Sequence, residues 1–122
     1  MADNKLFGRA TIRVNGKTFR QEKGATLDVG GTKRTTKMPV RGRPGYTEEE
    51  VPSKLEASVF IDALTSISEI RSWKDVTVSF ECDTGQAFVV NGGWQTDTPV
   101  VEESDGKVKI TIEGPAAEEL LG

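Results

Sequence analysis

The chain has 122 residues, a net charge of −3, no histidine and a single cysteine, Cys82. This length predicts one domain, residues 1–122, with a core that needs no disulfide. The lack of histidine and of a cysteine cluster argues against a zinc or iron–sulfur site and removes the commonest general base. The sequence shows no positioned nucleophile, phosphate-binding loop, signal peptide or membrane span. We therefore expect a protein that is not an enzyme, has no cofactor or metal, is made in a cytoplasm and does not insert into a membrane.

Charge is divided unevenly along the chain. Residues 1–47 hold eleven Lys/Arg and three Asp/Glu, a net of +8, whereas residues 48–122 hold five and sixteen, a net of −11. If the two signs occupy different faces, identical molecules can associate head to tail into rings or filaments. If the halves interleave in space, the two fields cancel. Charge alone does not decide between these alternatives.

The first predicted elements are short strands. Residues 1–8 form a flexible lead-in. Ala10, Ile12 and Val14 alternate with polar residues, which is typical of a half-buried strand. Asn15-Gly16 then predicts a type I′ hairpin turn that leads into a second strand. After another turn, alternating apolar positions over residues 25–29 predict a third short strand.

Residues 30–52, GGTKRTTKMPVRGRPGYTEEEVP, form the most unusual segment. They show no clear period of 2 or 3.6, so we expect a long loop. Its composition leaves three interpretations open: an arm that becomes ordered on a neighbouring subunit, a phosphate or nucleic-acid contact, or a mobile solvated loop. The candidate interface residues in this segment are Lys33, Arg34, Lys37, Arg41, Arg43, Tyr46, Glu48, Glu49 and Glu50.

A strand and a helix are predicted next. Apolar residues at every second position of 55–61 indicate the strand. The period then changes, and a stripe with three-residue spacing predicts a short amphipathic helix across an end of the sheet. Ser66 and Glu69 fit a capping box at its start. The stripe consists of Leu64, Ile67, Ile70 and Trp73.

The stretch from 75 to 94, DVTVSFECDTGQAFVVNGGW, predicts a β-hairpin at the centre of an antiparallel sheet. A three-residue turn at 83–85 sets a register in which Phe80 faces Phe88 and Val78 faces Val90. Cys82 shares that apolar face, which favours a small packed hydrophobe over a reactive thiol. The opposite, polar face carries Thr77, Ser79 and Glu81.

The last part of the chain completes the predicted sheet. Gly92-Gly93 permits a bulge, and residues 107–112 alternate as a final strand. The tail at 116–121, AAEELL, suggests one turn of helix. Together the elements predict a mainly β fold: an antiparallel β-barrel or sandwich of about seven strands, with one short flanking α-helix and a long inter-strand loop.

Four stretches, in this order and spacing, resemble the tail tube proteins of Mu-like contractile-tailed bacteriophages. They are GRATIRVNGKTFRQEKGATLDVGGTKRT, GYTEEEVPSKLEASV, TVSFECDTGQAFVVNGGW and TIEGPAAEEL. The resemblance covers most of the chain, and it implies the phage tail-tube fold. It further implies a structural virion protein whose hexameric rings stack into the inner tail tube, the conduit for DNA during ejection.

The resemblance also implies partners and places. These are further copies of the chain, the tail sheath, the tape-measure protein, the baseplate and the tail terminator, with assembly in the host bacterial cytoplasm. The family's long loop contacts neighbouring subunits and rings. It corresponds here to about residues 33–50, and this favours the arm interpretation.

The lumen of such a tube should lack strong cationic patches if DNA is to slide without sticking. Glu81, Ser79 and Thr77 are therefore the candidates for facing the lumen. Two alternatives remain open from the sequence. One is a small β-barrel nucleic-acid-binding module that uses the basic loop together with Tyr46. The other is the tube of a contractile injection particle that carries no DNA.

Overall fold

A computed structural model describes residues 4–63 and 65–121 of the chain and contains, over these residues, eleven strands and one helix. The strands are β1 (Ala10–Val14), β2 (Lys17–Thr18), β3 (Thr26–Asp28), β4 (Gly31–Lys37), β5 (Gly45–Val51), β6 (Ser53–Phe60), β7 (Val76–Cys82), β8 (Gln86–Gln95), β9 (Val100–Glu102), β10 (Lys107–Gly114) and β11 (Glu118–Leu121). The helix α1 (Ile67–Arg71) lies between β6 and β7.

Strand β8 joins two antiparallel sheets. It pairs with β7 over residues 87–93 and with β11 over residues 86–89, and β7 continues through β1 to β2. Its last residues, Trp94 and Gln95, pair instead with β10, which continues through β6 to β3 and also pairs with β9. The change of partner follows a register shift opposite Val76, where the sequence has Gly92-Gly93. The predicted mainly β, antiparallel fold is thus confirmed.

One hydrophobic core lies between the two sheets. The sheet containing β7 contributes Ile12, Val14, Val78, Phe80 and Val90 to it, and the sheet containing β10 contributes Leu55, Ala57, Val59, Val108, Ile110 and Ile112. In both sheets these residues occupy alternate strand positions, as a half-buried strand requires. Ile70 and Trp73 close the core from the helical side.

The predicted register of the central hairpin is confirmed. Phe80 pairs with Phe88, Val78 with Val90, and Ser79 with Val89. Asn15-Gly16 also forms the predicted turn, because Asn15 (φ 52°) and Gly16 (φ 83°) are both left-handed, as type I′ requires. At α1, Ser66 is the N-cap, and its hydroxyl accepts a hydrogen bond from the Glu69 amide at 3.2 Å. Leu64, predicted on the helix stripe, lies outside the described residues.

Two local predictions are wrong. Residues 30–52 do not form an irregular loop, because β4 and β5 pair with each other from Gly31/Val51 to Lys37/Gly45. The tail is not helical, because β11 pairs with the first half of β8. These three strands and the short β9 make up the difference between the eleven strands observed and the seven expected.

Candidate assembly interface

The hairpin β4–β5 with its connecting tip, residues 31–51, projects from the two-sheet body and is called the arm here. Every residue from 32 to 50 is exposed, and the arm forms a separate two-stranded sheet. All nine predicted interface residues lie on it. A two-stranded hairpin without a packed face is only marginally stable in water. The arm therefore has apolar and polar surface that its own chain does not cover.

The base of the arm is firmly attached to the body. Gly30 has a left-handed backbone (φ 71°), and its amide donates to the Asp28 carboxylate at 3.0 Å. The Ala117 amide donates to the Val29 carbonyl at 2.8 Å. On the returning strand, the buried Ser53 hydroxyl donates to the Pro115 carbonyl at 2.7 Å. These bonds fix both strands of the arm where they leave the body.

Cross-strand pairing gives the arm two different faces. On one face the Arg34 guanidinium lies 3.2 Å from the Glu48 carboxylate and 5.7 Å from the centre of the Tyr46 ring. On the same face the Thr32 hydroxyl donates to Glu50 at 2.9 Å. The opposite face carries Lys33 across from Glu49, and Lys37. Such exposed pairs contribute little to stability, so their side chains remain available to a neighbour.

The tip of the arm, residues 38–44, combines apolar and basic side chains. Met38 is 73% exposed and Val40 is fully exposed. Arg41 and Arg43 follow, and neither makes an ion pair within residues 4–63 and 65–121. Arg41 and Arg43 were among the interface residues predicted from the sequence, whereas Met38 and Val40 were not. An available signal was the presence of two apolar residues inside a Pro/Gly-rich basic segment.

The candidates for facing a lumen lie together on the outer, polar face of β7. Thr77 is exposed, and Ser79 and Glu81 are half-buried. The Glu81 carboxylate accepts from the Ser79 hydroxyl at 3.1 Å and pairs with Arg13 of β1 at 3.0 Å. Charge on this face is therefore balanced at short range. The arm residues and the β7 residues form two separate groups.

The two oppositely charged parts of the chain interleave in the body. Ion pairs join Arg13 to Glu81 and Lys17 to Glu69, and Lys107 lies 3.0 Å from Glu22. The Glu22 carboxylate raises the pKa of Lys107. In the described part of the chain, the basic residues Lys33, Lys37, Arg41 and Arg43 of the arm have no ion-pair partner. The arm therefore carries uncompensated positive charge.

An open apolar groove lies beside the base of the arm, between β3 and the β7–β8 hairpin. It measures about 510 Å³, and its lining includes Phe7, Leu27, Val29, Phe88 and Cys82. The Phe7 ring meets the ring of Phe80 edge-on at 6.2 Å. Partial burial raises the pKa of the Cys82 thiol, and the nearby carboxylates of Asp83 and Glu119 raise it further.

The described residues contain neither a metal-binding cluster nor a membrane-spanning helix. No group of three or more Cys, Asp or Glu side chains there is arranged to hold a metal ion. None of the helical structure described is long and apolar enough to cross a membrane.

Sequence comparisons identify one family. The family described as phage tail tube protein matches residues 3–119. The Mu-like prophage FluMu tail tube protein of Haemophilus influenzae is 35% identical over 107 residues, which cover 86% of this chain and 87% of that protein. The tail tube protein of Escherichia phage Mu is 30% identical over 114 residues, 92% of each chain.

Two solved structures share the fold. The AFP tube terminating cap of the anti-feeding prophage superimposes with a TM-score of 0.65 at 10% identity, covering 93% of this chain and 89% of the cap. The PVC sheath/tube terminator of an extracellular contractile injection system gives 0.63 at 14% identity, covering 92% and 93%.

The family match extends over nearly the whole length, and relatives at 30–35% identity share its length and description. The fold agrees with those of the tube-terminating proteins. The chain belongs to the phage tail tube protein family and is a structural, non-enzymatic component of a phage tail.

Proposed function

We propose that copies of this chain form hexameric rings that stack into the inner tail tube, and that DNA passes through the tube during ejection. The observation that carries the proposal is the arm, a hairpin that is exposed along both strands and at its tip. Its own chain gives it no packed face, so a neighbouring subunit is the natural source of one. The hexameric ring itself is taken from the family resemblance.

The charge distribution supports association of identical subunits. Four basic residues of the arm, Lys33, Lys37, Arg41 and Arg43, have no ion-pair partner among the described residues, whereas the chain as a whole is acidic, with a net charge of −3. A contact between the arm and an acidic region of another copy joins two different surfaces. Repetition of such a contact produces rings or filaments rather than a closed pair.

The polar face of β7 suits the wall of a DNA channel. Polyanions bind where cationic side chains are unpaired, and each phosphate contact adds salt-sensitive affinity. On this face Arg13 is paired with Glu81 at 3.0 Å. We therefore assign Thr77, Ser79 and Glu81 to the lumen. The sheath, tape-measure protein, baseplate and terminator are the proposed partners, the virion tail is the proposed location, and assembly is placed in the bacterial cytoplasm.

The two structural neighbours are the tube terminating cap of the anti-feeding prophage and the sheath/tube terminator of an extracellular contractile injection system. They support a second candidate, the tube of a contractile particle without DNA. The monomer fold serves either particle. Counting DNA-filled and empty particles in a purified preparation that contains this chain separates the two.

Electron microscopy of the purified protein over a concentration series, with light scattering on the same samples, tests the tube proposal. We expect hollow tubes or six-membered rings to appear as concentration rises. A protein that stays monomeric at every concentration, also with isolated baseplates added, contradicts it. A monomer that binds DNA with strong salt dependence indicates instead the nucleic-acid-binding module.

A further inference from the structure

The groove at the base of the arm exposes apolar surface that the described residues leave uncovered. Phe7 is 53% exposed and Val29 is 42% exposed, and Leu27 and Phe88 are only partly buried. A volume of about 510 Å³ lies within the roughly 300–1,000 Å³ typical of pockets that enclose a ligand or a group of side chains. Contiguous exposed apolar surface of this kind marks an interaction site.

The tip of the arm has the complementary chemistry. Met38 and Val40 are the most exposed large apolar side chains of the arm, and they lie at its far end. A flexible methionine beside a compact valine adapts readily to an irregular apolar groove. Arg41 and Arg43 follow directly, and Glu119 lies on the lining of the groove. Apolar surface would thus meet apolar surface, and positive charge would meet negative charge.

The arm does not fill the groove of its own chain. Val29, which lines the groove, lies two residues before the start of the arm, whereas the tip lies at the other end of a seven-residue strand pair. At about 3.4 Å per residue, that pair is roughly 24 Å long. The full exposure of Val40 confirms that the tip does not contact its own body. A tip can therefore reach a groove only on another molecule.

We propose that the groove between β3 and the β7–β8 hairpin is the receptor for the arm tip of a second copy of this chain, with Met38 and Val40 inserted and Arg41 and Arg43 facing Glu119. The inference deepens the proposed tube function, on which it depends for the presence of a second copy. Each molecule offers one tip and one groove, so the contact is heterologous and repeats from subunit to subunit.

The single cysteine makes this inference directly testable. Cys82 lines the groove, and the chain has no other cysteine. A Val40→Cys/Cys82→Ala variant therefore carries a thiol only at the tip, and the unmodified chain carries one only in the groove. The two proteins are mixed under assembly conditions and oxidised at mildly alkaline pH, because the raised pKa of Cys82 keeps its thiol protonated near neutrality.

The proposal predicts a disulfide-linked heterodimer, with peptide mass spectrometry joining positions 40 and 82. The matched control is Val101→Cys/Cys82→Ala, because Val101 is also an exposed valine, 54% exposed, but lies on β9 away from the groove. The heterodimer should be lost in this control. A Glu119→Lys substitution in the groove partner should reduce heterodimer yield, and Arg41→Glu/Arg43→Glu in the tip partner should restore it.

Electron microscopy of the same samples separates the two proposals. Tubes without the 40–82 link overturn the groove assignment and leave the tube proposal intact. The link without rings or tubes supports the groove assignment and counts against the tube. The absence of both contradicts both proposals. Equal cross-linking of the Val101→Cys control would show random collision and also overturns the groove assignment.

Discussion

The arm and the central hairpin are built from the same backbone motif but bury very different amounts of side chain. Both are antiparallel, with seven-residue strands β4 and β5 in one, and β7 and the longer β8 in the other. The central hairpin buries Val78, Phe80 and Val90 between the two sheets, whereas every residue from 32 to 50 of the arm is exposed. Hydrophobic burial stabilises the first, and only a partner can stabilise the second.

The largest effect on folding should come from truncating an aromatic side chain in the central hairpin. The matching truncation in the arm should have almost no effect on folding. Phe80 is 5% exposed and packs in the core, so Phe80→Ala should lower the free energy of unfolding by about 3–5 kcal/mol. Tyr46 is 63% exposed on the arm, so Tyr46→Ala should change it by less than ~0.5 kcal/mol. Urea denaturation followed by tryptophan fluorescence, to which the buried Trp73 and the exposed Trp94 both contribute, measures both changes. Equal losses would show that the arm is part of the folding core.

Substitution of two glycines compares backbone strain at the base of the arm with backbone strain at its tip. A Cβ on Gly30 would lie 2.6 Å from the Ser53 amide nitrogen, and its φ of 71° is left-handed. Gly30→Ala should therefore cost about 2–3 kcal/mol. Gly42, at the tip, is also left-handed but has open space around it. Gly42→Ala should leave the main unfolding transition unchanged because strain in the arm does not reach the core. A normal transition for Gly30→Ala would mean that the arm base can move.

Charge reversal on the arm should act on assembly rather than on folding. We expect Lys33→Glu/Arg34→Glu to hinder tube growth, measured by light scattering, while the unfolding transition stays in place. The Arg34–Glu48 pair is exposed on both sides, so its loss should cost at most ~1 kcal/mol. Adding Glu48→Arg restores an opposite-charge pair between positions 34 and 48 of the arm. It does not restore the positive charges at positions 33 and 34 that a neighbouring subunit would contact. If tube growth recovered in this triple variant, the defect would come from lost pairing inside the arm and not from a lost contact with a neighbour.

The smallest predicted effect concerns the turn of the central hairpin. The Asp83 carboxylate accepts a hydrogen bond from the Gly8 amide at 3.2 Å, and the backbone hydrogen bonds from Gly8 and Arg9 lower the pKa of this carboxyl below its ordinary value. A depressed native pKa contributes stability above the unfolded value, and this stability is lost as the pH falls through the native value. Asp83→Asn should therefore be slightly less stable than the unmodified chain at pH 7. Thermal unfolding curves of the two proteins should converge as the pH falls through the lowered native pKa of Asp83.

The contrast between the hairpins also explains what the sequence could predict. The register of β7 with β8 can be predicted from the sequence because one face of the hairpin is apolar. A one-residue slip would expose Phe80 and Phe88 to water. The arm has polar residues on both faces, so it lacks the apolar period that would indicate a strand. The composition and charge of residues 30–52 nevertheless pointed to candidate interface residues in this segment. All nine of these candidates lie on the exposed arm.

The tail was misread for a different reason. Ala, Glu and Leu favour a helix when they are considered locally, but residues 118–121 extend the sheet along β8. Edge pairing is a tertiary effect, and local propensity does not reveal it. The groove was missed because its lining comes from four separate parts of the chain, residues 7, 25–29, 80–88 and 119. Such a surface exists only after the sheets have packed.

In our proposal the arm serves assembly and not the fold of its own chain. Replacing residues 32–50 with Asn-Gly closes the strands above the Gly31/Val51 pair with a two-residue turn. Electron microscopy of this variant beside the full chain, at equal concentrations, tests the claim most directly, with urea denaturation as the folding control. We predict a folded monomer of nearly unchanged stability that forms neither rings nor tubes. Normal tubes from the shortened chain would contradict the account.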